Sequence, residues 1–358
     1  MLNTSINNGS YAPETTYEIY FSNGLTDWFL ENNLSVALST YQAGKIIFLG
    51  AKPNGERWIH NRSVGVCKGM ALDAAGFWVA TDEQLIRFGD LLSDVGPDNE
   101  SDAIFAPRKS FYTGNLDGHD VALLGDKDPV FVNTLFNCLS RPSSDYSFEP
   151  YWKPKFITEL VAEDRCHLNG LAVKDGAPAY VTSIAQTNSL DAWRGKRDDG
   201  GVVIDVNTDE VVCENLSMPH SPRWHNGALW VHNSGRGEFG KIDLKSGNFQ
   251  PITFCPGYLR GMAFFGDIAI VGLSIPRNKT FGGLKLQSSL ENYKLEAQCG
   301  IYFIDTVAGE VIHSVIFDGV VKELYDVLLL SEMTHPSMIS PLANEDVRRT
   351  LSVQPVTS

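Results

Sequence analysis

The sequence predicts an all-β fold, a six-bladed β-propeller with a split last blade closed by N- and C-terminal segments. Three observations carry the prediction. A unit of two short apolar runs around a Gly-, Asp- or Asn-rich turn recurs along the chain, opening at Lys68, His119, His167, His220 and Arg260, 40 to 53 residues apart. A period of that size, made of β-type runs, is the signature of a propeller with four strands per blade. A sixth opening at Glu323 ("ELYDVLLL") has nothing strand-like after it, whereas the start of the chain holds runs that lack an opening. Finally, no part of the repeat sustains the i, i+3, i+4 spacing of an amphipathic helix.

The elements follow in order. Residues 1–18 read as a tail. The runs "SVALSTYQ", "GKIIFLGA" and "ERWIHNR" (35–62) read as second, third and fourth strands of a blade whose first strand comes from Glu323 onward. Joining the two ends closes the ring and removes two sheet edges that would invite aggregation. "KGMALDAAGFWVATDEQLIRF" (68–88), "HDVALLGDKDPVFVNT" (119–134), "HLNGLAVKDGAPAYVTS" (167–183), "HSPRWHNGALWVHNS" (220–234) and "RGMAFFGDIAIVGLSIPR" (260–277) open the other five blades. Ala75-Gly76, Asp175-Gly176 and Asn226-Gly227 each separate two apolar runs, as hairpin turns do. The strands after them are β-branched or aromatic, as in Phe77-Trp78-Val79. Residues 93–107 and 187–200 read as loops, and "LQSSLENYKLEAQ" (286–298), in an insertion after Pro276, as a helix over one face. A single domain over 19–335 results, with 336–358 as a C-terminal tail.

Composition narrows the function. A net charge of −14 gives no basic face for nucleic acid or an anionic membrane. The N-terminus has neither the basic nor the apolar region of a signal peptide, and no apolar run approaches a membrane span. Six scattered cysteines form no C-x-x-C pair. A cytoplasmic protein with reduced core thiols is expected, Cys67 and Cys166 among them, with a small-molecule or peptide substrate as its partner.

In a blade the first strand starts, and the second ends, at one mouth of the central channel. The first-strand residues there are Lys68, His119 with Asp120, His167 with Asn169, His220 with Arg223, Arg260, and Glu323 with Asp326. The second-strand residues are Tyr41, Gln42, Thr81, Asp82, Asn133, Thr182, Ser183, Asn233, Ser234 and Ser274. His119, His167 and His220 are assigned to one phase of the repeat, and imidazole suits a transition-metal ion such as iron, copper or zinc. A three-nitrogen site with open positions has room for water or a substrate oxygen. Lys68 and Arg260 then hold a substrate carboxylate or phosphate. Glu323 or Asp326 serves as fourth ligand or general base. Tyr41, Gln42, Asn133, Asn169, Arg223 and Asn233 supply substrate hydrogen bonds. Against this stands a structural reading, in which the histidines only bond between strands. His60, His225, His232, His313 and His335, lacking repeat partners, are read that way or as surface residues. "NSGRGE" (233–238) follows a strand and opens no helix, which argues against a phosphate loop.

The boxes "LSTYQAGK" (38–45), "FVNTLFNCL" (131–139), "EDRCHLNGLA" (163–172), "SMPHSPRW" (217–224), "LWVHNSGRGE" (229–238) and "PGYLRGMAF" (256–264) resemble a conserved bacterial family of unknown function. The resemblance runs from about residue 20 to residue 335 and implies a six-bladed propeller without implying a reaction. More distantly, the architecture is similar to metal-dependent lactonases. Their Glu, Asn and Asp ligands differ from the histidine set here, which argues against a calcium-type oxygen site. Three functions follow. One is a metal-dependent oxidoreductase, hydrolase or lyase acting on a small anionic or peptide-like substrate. Another is a non-catalytic propeller that binds a peptide or small molecule. The third is a metal-free lyase or isomerase using histidine as acid–base.

Overall fold

The computed structural model describes residues 18–92, 100–125, 128–278 and 280–351. Six antiparallel sheets, each a four-strand meander, make up the ring. Blade 1 runs Cys67–Asp73, Gly76–Thr81, Gln84–Asp90 and Ile104–Tyr112 from the axis outward. Blade 2 is Gly118–Leu124, Asp128–Asn133, Cys138–Arg141 and Glu149–Trp152. Blade 3 is Leu168–Lys174, Ala177–Ser183, Gly201–Asp205 and Val211–Leu216. Blade 4 is Pro219–His225, Ala228–Asn233, Glu238–Asp243 and Asn248–Phe254. Blade 5 is Tyr258–Phe265, Ile268–Ser274, Cys299–Asp305 and Glu310–Asp318. In blade 6 the inner strand Leu324–Ser331 pairs with Leu34–Thr40, followed by Lys45–Ala51 and Arg57–Ser63, so both ends of the chain share one sheet.

Each blade buries one face against the next, and each interface has its own apolar cluster. Phe48, Phe77, Phe88 and Phe105 fill the seam between blades 6 and 1, and Leu139, Leu168, Val181 and Ile204 that between blades 2 and 3. All six cysteines are free and buried, as expected of core thiols. The expected turn chemistry holds at Asp175-Gly176, where both residues have positive φ (54° and 75°), the requirement of a type I′ hairpin.

Three expectations change. Residues 104–107, read as loop, begin the outer strand of blade 1; residues 93–99 of that stretch lie outside the described part. In the 187–200 loop, a short 3-10 turn at Ala192–Lys196 buries Trp193. The chain beyond 335 still belongs to the propeller surface: Ser337–Met338 pairs in parallel with Ile104–Phe105, Ser340 Oγ donates to Ser63 O, and Asn344–Arg349 is helical. Residues 1–17 and 352–358 of the expected tails lie outside the described part. The expected helix near 286–298 forms at Lys285–Tyr293. An additional strand, Glu18–Phe21, extends blade 5, and the helix Leu25–Glu31 buries Leu25 and Phe29 between blades 5 and 6. Among the described residues no helix is long and apolar enough to cross a membrane.

Candidate metal centre at the channel mouth

Sheet register fixes which residues are equivalent around the axis. Cys67, Gly118, Leu168, Pro219 and Leu324 pair with Thr81, Asn133, Ser183, Asn233 and Thr40 at the ends of the second strands. The residues that follow, Lys68, His119, Asn169, His220 and Tyr325, therefore share one level of the channel, and Arg260 completes the ring from blade 5. His119, Asn169, His220, Arg260 and Tyr325 line a common axial cavity. This revises the assignment of three histidines to one phase. Asn169 is the equivalent of His119 and His220, and His167 lies two residues upstream, level with Asp117 and Glu323. Each inner strand carries a register shift against its neighbour just beyond this ring. Such bulges re-aim side chains, and they recur next to functional sites.

His119 and His167 nevertheless meet. Their ring centroids are 4.8 Å apart, and Asp117 joins them, the three offering ligand atoms all within 4.8 Å of one another. His220 stands outside this group; its Nε2 lies 3.4 Å from Asn169 Nδ2. Asp117 and His167 both adopt left-handed backbone, φ 52° and 53°, ahead of their inner strands. Non-glycine residues rarely hold that conformation, and it collects at functional sites.

The tautomers follow from the neighbours. His119 Nδ1 lies 2.8 Å from the Asp117 carbonyl, which can only accept, so Nδ1 carries the proton. Thr134 Oγ1, also 2.8 Å from Nδ1, donates its own proton to Leu168 O. His220 Nδ1 likewise faces Met218 O at 2.9 Å. His167 Nδ1 lies 2.6 Å from Asp164 Oδ2, the ring stacks on Trp193 at 4.2 Å, and Trp193 Nε1 donates to the same carboxylate oxygen. Each Nδ1–H is committed to oxygen, which leaves the Nε2 lone pairs of His119 and His167 for a ligand, the arrangement that fixes metal-binding imidazoles, whereas His220 Nε2 faces the Asn169 amide N–H. Burial pushes the His119 pKa down to about 3, against the pull of Asp117, and burial with Arg260 pushes His220 well below its ordinary value; both rings are neutral. Burial resists the charge on Asp117, but His119, Lys68 and His167 hold its carboxyl below its ordinary range.

Lys68 is buried, 2.6 Å from Asp117 Oδ1 and 3.4 Å from Asp82 Oδ1, with its ammonium over the Tyr41 ring. Glu323 binds Arg277 Nε at 2.8 and 2.9 Å through its two oxygens, and Arg260 Nη1 lies 3.4 Å from it. Arg260 also packs over the Tyr258 and Tyr325 rings. An ion-paired Glu323 is a positioning group for arginine rather than a free base.

Other expected site residues have partners within the scaffold. Arg223 donates to Asp120 Oδ2 at 2.8 Å and to Asp326 Oδ1 at 3.3 Å, while Asp326 Oδ2 accepts from Met70 N and Asp120 Oδ2 from Leu171 N. This buried strut ties blades 1, 2, 3, 4 and 6 across the axis, so Arg223, expected to bind substrate, and Asp326, expected as a base, are both engaged within the protein, Asp326 also lining the axial cavity. Burial pushes the Asp326 pKa up to about 7, with Arg223 opposing and Asp120 reinforcing the shift. Asn133 is spent on Phe136 N and Ser140 Oγ, Asn233 on Ser217 N and Glu238. Gln42 is exposed, whereas Tyr41 packs beside Tyr325. Asp117, Asp164, Trp193, Tyr325 and Arg277 are residues of this candidate site that sequence reasoning missed. Two carried a local signal: Asp117 stands two residues before His119, and Asp164 three before His167.

A closed six-bladed ring defines the class, a β-propeller, here with polar and charged side chains converging on one mouth. The chain belongs to the family described as a domain of unknown function, DUF4915, which it matches over residues 23–339. No curated protein matches it. Among solved structures it is similar to a protein of unknown function from Bacteroides caccae, at 10% identity and TM-score 0.49, covering 83% of this chain and 98% of that one. It is also similar to a chain of a nidogen/laminin complex, at 11% identity and TM-score 0.46, covering 84% and 98%. A third is virginiamycin B lyase from Staphylococcus aureus, at 12% identity and TM-score 0.40, covering 84% and 99%.

Proposed function

We propose that this propeller is a metal-dependent enzyme in which Asp117, His119 and His167 hold one transition-metal ion and a small anionic substrate enters at the same mouth. The observation that carries the reading is the convergence of these three groups with the Nδ1 atoms of both imidazoles tied to oxygen. Two imidazoles and one carboxylate with open positions suit iron or hydrolytic zinc, which favours these over copper. A bound ion would polarise a substrate oxygen as a Lewis acid. The chain's own groups do the rest: Asp164 orients His167, the Asp117 carbonyl and Thr134 orient His119, and Lys68 positions the Asp117 carboxylate. Arg260 lines both the axial cavity and the neighbouring arginine-rich cavity, and so links substrate charge to the centre.

The 2.6 Å contact between Lys68 and Asp117 favours a second reading. There Lys68 itself neutralises Asp117, and His167, backed by Asp164, acts as acid–base in a metal-free lyase or isomerase. Elemental analysis of protein purified without a histidine tag separates the two. The metal reading expects about one ion per chain, lost in His167→Ala and Asp117→Asn. Untagged protein that contains no metal and takes up neither Fe(II) nor Zn(II) overturns it.

A further inference from the structure

We infer that the cavity flanking the channel mouth, walled by Arg197, Arg260 and Arg277, is a binding site for a small organic dianion. As a substrate assignment this rests on the catalytic reading above; as a binding site it stands apart from the metal. The cavity measures about 260 Å³, room for roughly ten non-hydrogen atoms, below the size of drug-sized ligand pockets. It forms where two insertions on the same face meet. Arg197 comes from the blade 3 insertion and its Nη2 faces Gly282 O of the blade 5 insertion at 3.4 Å, while Arg260 rises from the inner strand.

The charges do not balance. Among the described lining residues the charged groups are three guanidinium groups and one carboxylate, Glu323. Glu323 is gripped mainly through Arg277 Nε, and among the described residues the other edge of that guanidinium, which lies over the Tyr41 ring, has no hydrogen-bond acceptor. Among the described residues, Arg260 Nε is buried with no hydrogen-bond partner, its guanidinium lying over the Tyr258 and Tyr325 rings. Two uncompensated cations with planar donor edges match a ligand carrying two negative charges on oxygens. Part of the remaining wall is apolar, with Met218, Phe281 and Leu284 beside the polar Ser274, Asn278 and Thr280, and Phe281 stacks with Tyr258. A flat apolar body fits that wall. The ligand is therefore an amphiphilic dianion, either a phosphate monoester or a dicarboxylate on a small ring or branched chain.

Isothermal titration calorimetry tests this with phenyl phosphate, phthalate, benzoate and phenol on the full chain. At least one of the two dianions is expected to bind at least ten-fold more tightly than benzoate, with phenol silent, and the better dianion identifies the head group. Arg197 is exposed, so Arg197→Ala leaves the fold intact by circular dichroism and is expected to weaken the dianion about ten-fold, as loss of one charged hydrogen bond does. Arg277→Ala is expected to weaken it further. His167→Ala is expected to keep dianion binding, so failure of the metal reading and failure of this one are distinguishable. Absence of binding by both dianions, benzoate binding as tightly as they do, or unchanged affinity in Arg197→Ala overturns the inference.

Discussion

At the scale of single residues, the Asp164–His167–Trp193 unit is the part of the site whose chemistry is most constrained. The Asp164 carboxylate receives both the His167 Nδ1–H and the Trp193 Nε1–H, and also accepts the His167 backbone N–H at 2.9 Å. Three bonds to one carboxylate hold a left-handed residue and its ring in one orientation, far more than a surface histidine needs. An outer carboxylate of this kind raises ligand basicity and fixes the ring, and its loss typically costs 10- to 100-fold in metal affinity. Asp164→Ala is therefore expected to lower Zn(II) affinity by about 10- to 100-fold in competition with a chromogenic chelator. Unchanged Zn(II) affinity together with a lowered melting temperature would assign Asp164 to loop stability alone.

At the scale of elements, the inner strands approach so closely that side chains are excluded between them. A Cβ on Gly69 would lie 2.5 Å from Asp120 Cα, and one on Gly261 2.7 Å from Asp326 Cα, each pair joining equivalent positions of neighbouring blades. Gly261 also has φ +77°, so Gly261→Ala combines a left-handed strain of about 1–2 kcal/mol with a backbone clash that neither blade can relieve. A loss of about 2 kcal/mol or more in urea unfolding is expected, and a variant as stable as the parent would show that the inner strands can part. The same strands explain what the sequence does and does not disclose. Alternating apolar runs and Asp-Gly or Asn-Gly turns are local signals, so the blades and the closure of Leu324–Ser331 on Leu34–Thr40 were legible. The phase of the site was legible too, though through the turns and not through the histidines. His119, Asn169, His220 and Arg260 each stand six residues before a turn residue, Gly125, Asp175, Asn226 and Gly266. Matching histidine to histidine placed His167 in the ring that Asn169 occupies. Arg223 and Asp326 were not separable from ligand-binding residues by sequence, because their pairing spans 103 positions. The edge strand at Ser337–Met338 escaped notice because two residues carry no periodicity.

At the scale of the whole molecule, closing six blades around an axis sets titratable groups in dry seams, and the pH dependence of stability follows. Burial holds His60 and His232 down to about 4 and His119 to about 3, keeps His220 well below its ordinary 6.5, and lowers His313. In the unfolded chain these rings take up protons near 6.5, whereas the folded chain refuses them until far lower. The unfolded state therefore binds more protons below 6.5, and stability falls as pH drops from there toward 4. Asp326 acts in the opposite sense. Its pKa is raised from 3.8 to about 7, so the folded state keeps a proton that the unfolded chain releases, and its contribution is lost as pH rises through that window. The lowered rings outweigh the one raised carboxyl, and a net loss of roughly 1 kcal/mol or more per pH unit is expected between pH 6.5 and 4.5, read from urea midpoints. Asp326→Asn removes the opposing group, so its stability should fall more steeply with acid than the parent's. A parent whose stability is flat or rises on acidification, or a variant with a shallower slope, would mean that the seams admit water and the rings titrate as in solution.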